Sequence, residues 1–423
     1  MNKQIDITGV ELKTARLTLR PWRQADLEDF YEYARVDGVG QMAGWQPHES
    51  IQVSQEILNH FIEGKKTFAL VHQGKVIGSL GIERYNEQLF PQLAPYLGRA
   101  IGYVLSRDYW GRGLMPEAVQ AVKEYLFERE GLDFINVGHF SWNRQSARVI
   151  EKSGFTYFAT IPYHTHVGTV EEDFEYLCFH PKYAQPPVKT VRAGILCAAD
   201  DELHPFLSMM HKTHETKKAL LTFHHGTIDG LAVTAVWCGA CKVNAAIAAQ
   251  LLIDTFGCDF IINAGTCGGM TGEMDVMDTV VSAECAYHDV EEGILTEYHP
   301  YLPGIWFQAD GGLLQAARAA AERLPRHKIA FGRTMTGEAF IDNRNRDAIL
   351  MNHAPLSVDM ETASAAQVCH AFGTPFLAIR TITDTPAHDG DAAYHANCEA
   401  AGQAAADITR QTLQEWKRQR MLK

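Results

Sequence analysis

The hydrophobic pattern changes character along the chain. In the N-terminal part, TARLTLRPW reads as a strand, LEDFYEYARV and VSQEILNHFIEGK as amphipathic helices, and TFALVH and KVIGSLGIERY as alternating strands joined by a Gln73-Gly74 hairpin turn. A further strand, IGYVL, runs into Trp110-Gly111-Arg112-Gly113-Leu114-Met115 and then a helix opened by Pro116-Glu117. Next, INVGHFSWNRQSARVIEKSGF predicts a strand ending at Asn143, a helix bearing Ser146 and Arg148, and a close at Gly154-Phe155. Three prolines in PKYAQPPVKT, without apolar periodicity, predict a short stiff linker over 183–190.

Beyond the linker the pattern restarts as repeated strand-then-helix units: AGILCAADDELHPFLSMM, LAVTAVWCGACKVNAAIAAQLLIDTF, DFIINAGTCGGM and DTVVSAECAYHD. That alternation predicts an α/β domain with a largely parallel sheet. The run FLAI, between Gly373-Thr374-Pro375 and TITDT, fits a strand covered on both faces and places Asp384 just past its carboxyl end. Ligands of open α/β sheets bind outside the carboxyl ends of strands, so Asp384 is a candidate for chemistry, the alternative being a helix-capping or loop acid. DAAYHANCEAAGQAAADITRQTLQEWKRQ predicts a closing helix with an alanine-rich face, and the charged end KRQRMLK a frayed, solvated tail.

A chain of 423 residues exceeds one ordinary core, so two or three domains are expected. Its net charge of −13 provides no excess of basic groups for a nucleic-acid backbone. Nine cysteines without framework spacing fit a reducing compartment, and the polar start and absence of a long apolar run predict a cytoplasmic protein that does not enter membranes. Cys238-Gly-Ala-Cys241 is a lone CxxC without a second pair, so no metal is expected.

Several positions carry candidate chemistry. Glycines between a strand and a helix N-terminus leave convergent N–H groups, a way to hold a pyrophosphate, although one GxG also makes a simple tight turn. Glu202, Glu361 and Asp384 fall at strand ends or the turns after them. Asn263-Ala-Gly265-Thr266-Cys267-Gly268-Gly269 would let a ligand approach backbone closely, and it lacks the lysine of a nucleoside-triphosphate loop. His288, His299, His388 and His395 read as surface or supporting residues.

The two N-terminal motifs, in their order and spacing over residues 10 to 181, resemble the GNAT N-acetyltransferases, most closely the branch acting on ribosomal-protein N-termini. The resemblance implies acetyl-CoA as co-substrate and an amine acceptor. It implies the pyrophosphate on the backbone amides of Gly111, Arg112, Gly113 and Leu114, the pantetheine along the strand containing Val104, and Asn143 and Ser146 near the cofactor arm. Asp108 stands where the family usually has glutamine or arginine. Glu83 is the candidate acceptor base, against an ordinary surface acid, and Tyr157 the candidate acid for the thiolate.

In the second half, GACKVNAAIAAQLL, INAGTCGGM, VVSAECAYHD, GEAFID and VDMETAS occur in one order that resembles the purine nucleoside phosphorylase superfamily, specifically the 5′-methylthioadenosine/S-adenosylhomocysteine nucleosidases. The resemblance implies that Glu202 activates water, that Glu361 binds the ribose hydroxyls with Met360 packed on the sugar, and that Arg380 lies near both. It further implies that Asp384, held by Thr266, protonates the purine at N7, with Phe340 stacked on the base and the Ile341 backbone at its edge. Departures are Asp359, shorter than the usual first acid, and VEEGILTEYHPYLPG, which leaves the 5′ substituent open. Acids at Asp200, Asp201 and Glu202 favour hydrolysis over phosphorolysis.

The expected fold class is therefore α/β: an N-terminal GNAT α+β domain with a mixed sheet over 1–182, and a C-terminal nucleoside phosphorylase-like α/β domain over 191–423. A homodimer through the C-terminal domain is implied by the resemblance. One shared target carrying an amine and an adenosine, such as an aminoacyl-nucleoside inactivated by either half, stands beside two unrelated activities, and beside one half serving as an inactive binding module.

Overall fold

The structure, a computed structural model, describes residues 1–165, 168–183, 190–298, 302–388 and 390–420. His299, most of the expected linker and the last three residues of the tail lie outside that set. The chain divides into two compact units, residues 1–190 and 191–419.

In the first unit β1 (Leu12–Lys13), β2 (Thr18–Pro21), α1 (Leu27–Ala34), α2 (Ile51–Gly64), β3 (Thr67–His72) and β4 (Lys75–Glu83) are followed by β5 (Gly98–Leu105), α3 (Leu114–Glu124), β6 (Phe134–Phe140), α4 (Arg144–Lys152), β7 (Thr156–His164) and β8 (Val170–Phe179). The strands form one mixed sheet in the order β1-β2-β3-β4-β5-β6-β8-β7. Gln73 and Gly74 both have positive φ (50° and 84°), so the β3–β4 turn matches the right-handed twist of the strands it joins. Strands β5 and β6 run parallel and pair over Gly98–Ala100 and Phe134–Asn136. No further rung joins them among the described residues, so their ends part and leave a wedge in the sheet.

Helix α3 begins at Leu114, two residues before the predicted Pro116, because Gly113 (φ 72°) supplies a left-handed N-cap. The predicted strand to Asn143 ends at Phe140, and Asn143 is the N-cap of α4, accepting from the Ser146 amide. Near the chain start, Arg20 makes two 2.8 Å hydrogen bonds to Asp26, whose Oδ2 also accepts from the Arg23 amide.

The second unit comprises β9 (Arg192–Cys197), α5 (Asp200–Met209), β10 (His211–Lys218), β11 (Leu221–Ile228), β12 (Leu231–Trp237), α6 (Lys242–Gln250), β13 (Phe260–Gly269), β14 (Thr279–Tyr287), α7 (Glu292–Thr296) and β15 (Phe307–Gln308). It continues with α8 (Gly311–Arg323), β16 (Ile329–Thr336), α9 (Asn343–His353), β17 (Ser357–Asp359), α10 (Thr362–Phe372), β18 (Phe376–Asp384) and α11 (Asp391–Gln419). Its ten-stranded sheet runs β10-β11-β12-β9-β13-β17-β16-β14-β15, and β18 pairs with both β13 and β14. Strands β13, β17, β16, β14 and β18 therefore close a ring.

The sheet is mixed rather than largely parallel, with five parallel and five antiparallel pairings. The antiparallel pairings are β10–β11, β11–β12, β13–β17, β14–β15 and β14–β18. Strand β10 is polar and mostly exposed, and so gives no apolar alternation to read. Strand β18 is buried at all nine positions and extends through TIT to Asp384, so the acid is the last strand residue rather than a loop residue. Helix α11 packs its small residues inward, with Ala401, Gly402, Ala404, Ala405 and Ala406 buried.

Removing the carboxylate that pairs with Arg20 strands a largely buried guanidinium. Asp26→Ala is expected to destabilise the first unit by about 3 kcal/mol, read as a shift of the first transition in urea.

Candidate functional site

In the second unit the ring of strands brings three distant acids to one cavity of ≈350 Å³. Glu202, Thr266, Phe340, Ile341, Met360, Glu361, Arg380 and Asp384 all line it. Glu202 comes from the first turn of α5, Glu361 is the N-cap of α10, and Asp384 ends β18. The three carboxylates are 2%, 3% and 1% exposed, so each is taken from water and depends on the donors around it.

Glu202 is the most heavily bonded. Its Oε2 accepts from the amides of Ala198 (2.6 Å) and Ala199 (3.2 Å), and its Oε1 from the Thr266 amide (2.6 Å) and hydroxyl (2.7 Å). This corrects one expectation: Thr266 holds Glu202, not Asp384. It also changes the reading of Gly265, where a Cβ would collide with the Glu202 carboxylate. The glycine makes room for an acid of the chain itself rather than for backbone contact with a ligand.

Asp384 accepts from the Thr383 hydroxyl (3.0 Å) and stands 3.5 Å from the Arg346 guanidinium, which also donates to the carbonyls of Gly269 and Ile341. Arg346, on α9, was not singled out from the sequence. It sits in a polar stretch, NRNRD, whose patterning resembles an exposed helix although Arg346 is 2% exposed.

Arg380, also 2% exposed, lies between two acids: its Nη2 meets Glu361 Oε2 at 2.7 Å and its Nε lies 3.3 Å from Asp359 Oδ2. Two buried carboxylates thus share one guanidinium. Burial first, then the neighbouring Asp359 and Glu202, push the Glu361 carboxyl up to about 7, against the opposing pull of Arg380. Glu361 Oε1 accepts from the Cys241 amide at 3.0 Å, while Arg380 Nη1 has no hydrogen-bond partner among the described residues. Phe340 is 43% exposed on the cavity wall, edge-on to Tyr394 at 6.3 Å.

In the first unit a cavity of ≈290 Å³ runs from the wedge to the start of α3. Val104, Gly111, Gly113, Leu114, Asn143 and Ser146 line it, together with Arg148 and Lys152. Arg112 does not; it points to the surface, with its guanidinium over the Tyr109 ring and its carbonyl accepting from Arg16. Asn143 uses its side chain to cap α4 and to donate to the Met42 carbonyl, so it shapes the wall. The glycine turn and the unpaired first N–H groups of α3 fit a phosphate group, and the parted strands fit an extended amide chain.

The expected thiolate acid is not placed for its role. Tyr157 is fully buried with its hydroxyl on Thr160 and lines neither cavity of this unit described here. Glu83 is ion-paired with Lys66. It lines a second, larger cavity of ≈690 Å³, and Tyr103 and Val104 line both. Tyr103, whose hydroxyl is 2.9 Å from Ser146 Oγ, gave no sequence signal beyond its place in IGYVL.

The CxxC pair forms no cluster: Cys238 is buried and directs its thiol to the Gly239 carbonyl, and Cys241 caps α6. Among the described residues no group could hold a metal ion, and no helix is long and apolar enough to cross a membrane.

This fold and these acids define a member of the phosphorylase superfamily: the family model matches residues 192–414, just over half of the chain, which belongs to that family. Residues 16–156 match the acetyltransferase (GNAT) domain. Among relatives, the chain is 33% identical over 234 residues to the 5′-methylthioadenosine/S-adenosylhomocysteine nucleosidase of Geobacillus kaustophilus, covering 54% of this chain and 100% of the relative. It is 33% identical over 222 residues to that of Geobacillus thermodenitrificans, covering 52% and 94%. Among solved structures, the Colwellia psychrerythraea nucleosidase in complex with adenine is 30% identical with a TM-score of 0.50, covering 54% of this chain and 96% of that one.

Arg380 keeps two buried carboxylates apart electrostatically. Arg380→Met is expected to lower stability by about 3 kcal/mol at pH 8. Because Glu361 takes up a proton as the pH falls through about 7, the loss should shrink at pH 5. Urea denaturation at the two pH values checks this.

Proposed function

We propose that the chain is a bifunctional enzyme: an N-glycosyl hydrolase over 191–423 that releases adenine from a 5′-substituted adenosine, and an acetyl-CoA-dependent N-acetyltransferase over 1–182, joined by the linker at 183–190. The observation carrying the first activity is the convergence of Glu202, Glu361 and Asp384 on one cavity, with the unpartnered Nη1 of Arg380. The nucleosidase names of the relatives support the substrate class.

Breaking an N-glycosidic bond builds positive charge on the ribose and negative charge on the base. Interactions that strengthen with those charges lower the barrier. Glu361 accepts from the ribose hydroxyls and faces the developing cation. Asp384 delivers the proton at N7, with Phe340 on the base and the Ile341 backbone at its edge, and Met360 packs on the sugar. Glu202 orients the water. Its oxygens already accept four hydrogen bonds, so the Thr266 hydroxyl, the one donor able to rotate away, gives up its place to that water.

The acids at the β9–α5 turn disfavour a phosphate nucleophile, so hydrolysis is preferred to phosphorolysis. In the first unit, acetyl-CoA supplies an activated acetyl thioester. The glycine turn and α3 hold its phosphates, Val104 and its strand orient it, and Ser146 anchors Tyr103 at the reacting end. A single molecule bearing both an amine and an adenosine, such as an aminoacyl-nucleoside, would meet both activities. The protein is proposed to work in the cytoplasm as a homodimer through its second unit.

Free adenine should appear from methylthioadenosine or S-adenosylhomocysteine without phosphate. Glu202→Gln and Asp384→Asn should each lower kcat by roughly 10³-fold with the fold unchanged by circular dichroism. Release that requires phosphate would exclude the hydrolase, and no release from either compound would exclude this substrate class.

A protonated Glu361 accepts hydrogen bonds from ribose less well. Adenine release, followed as kcat/KM, should therefore fall as pH drops through about 7. A flat profile from pH 5 to 9 would remove Glu361 from that role.

A further inference from the structure

The larger cavity of the first unit is walled mainly by apolar side chains, with Gln46, His48, Thr67 and Ser79 among its polar members. Phe30, Tyr33, Trp45 and Phe61 contribute aromatic surface, and Val53 and Ile57 aliphatic surface. The rings are mutually packed, with Phe30 5.5 Å from Tyr33 and 5.6 Å from Phe61, so the wall is preformed. Its carboxylates are the exposed Glu49 and the half-buried Glu83, the latter ion-paired with Lys66. A polycation therefore finds no buried anion here.

One polar group stands out. Tyr33 is 3% exposed and its hydroxyl has no hydrogen-bond partner, Ser79 lying beside it outside hydrogen-bonding geometry. A buried donor without a partner costs about 1–3 kcal/mol unless a ligand atom satisfies it. The cavity meets the cofactor cavity at Tyr103 and Val104, where β5 leaves β6.

We propose that this cavity is the acceptor site and that its substrates are aromatic amines with a carbonyl next to the amine-bearing carbon, of which aromatic aminoacyl amides are the simplest. The ring lies against Trp45, Phe30 and Phe61, and the carbonyl accepts from the Tyr33 hydroxyl. The apolar surroundings favour the neutral amine, which is the nucleophile. Nitrogen attacks the thioester carbonyl, the C–S bond breaks, the thiolate leaves with the electron pair, and the amine's surplus proton passes to solvent or to the thiolate. The inference rests on the acetyl-transfer reading of this unit.

The test uses the full chain with phenylalaninamide, phenethylamine, alaninamide and spermidine. Binding is measured by calorimetry with CoA present, and turnover by thiol release from acetyl-CoA. Phenylalaninamide should bind at least tenfold tighter than either alaninamide or phenethylamine. Trp45→Ala should weaken it about tenfold with acetyl-CoA affinity unchanged, and Tyr33→Phe should erase its advantage over phenethylamine without weakening phenethylamine. Equal binding across the panel, preference for spermidine, no detectable amine binding, or variants without effect would each overturn the assignment. Acetyl-CoA binding is scored separately: its absence defeats the acetyl-transfer reading, whereas intact acetyl-CoA binding without ring preference defeats this inference alone.

Discussion

The guanidinium of Arg380 is the constraint around which the second unit's site is built. Asp359 meets its Nε and Glu361 its Nη2, both nearly out of contact with water, and neither would be stable there without an opposite charge. One cation cannot fully compensate two anions, so the cluster retains affinity for a proton or for hydroxyl donors. That surplus, together with the unpartnered Nη1 of Arg380, is what a polyhydroxylated sugar would satisfy. The energetic cost of burying the cluster is met by the ring of strands, which over-determines its geometry. β17 fixes Asp359 opposite Thr336, and β18 fixes Arg380 opposite Gly265.

The same ring explains why Glu202 can reach the cavity from α5. Arg380 and Gly265 are partners on adjacent parallel strands, and the missing Cβ at Gly265 is filled by the Glu202 carboxylate. The amide of the next residue, Thr266, then points at Oε1. Glu361, through Arg380, and Glu202, through Thr266, are thereby tied to one strand pair, β13 and β18. The first unit uses the opposite device. Its sheet opens between β5 and β6, and a cavity lies at the gap left when the two strands stop pairing.

Most of this was legible in the sequence because the acids sit at ends of strongly apolar strands, where ligands of α/β sheets bind. Helix α11 was readable from Asp391 in its first turn onward for a related reason, a sustained alanine face, although Lys417 is buried in the helix rather than part of a solvated tail. What was not legible involves partners rather than positions. Nothing in INAGTCGGM says that Thr266 bonds Glu202, since the two are distant in sequence and meet only through β9–β13 pairing. Arg346 was hidden in a polar helix, and β10 in a segment polar on both faces. Arg112 shows a further limit: its side chain lies over Tyr109 rather than in the cavity, so the backbone amide is the group that this position of the motif offers.

The two halves differ in how they treat charge, and this bears on whether one molecule can visit both. The second unit's cavity gathers carboxylates around one arginine, an arrangement that would suit a polar sugar whose charge changes during reaction. The larger cavity of the first unit, the proposed acceptor site, carries an aromatic wall, and its one cavity-lining strand acid is ion-paired with Lys66. A nucleoside carrying an aromatic aminoacyl amine satisfies both, ring and amine in one unit, adenine and ribose in the other. A simple methylthioadenosine satisfies only the second. The chemistry of the first unit's wall, rather than that of the better-defined nucleoside site, therefore decides between one shared target and two separate substrates.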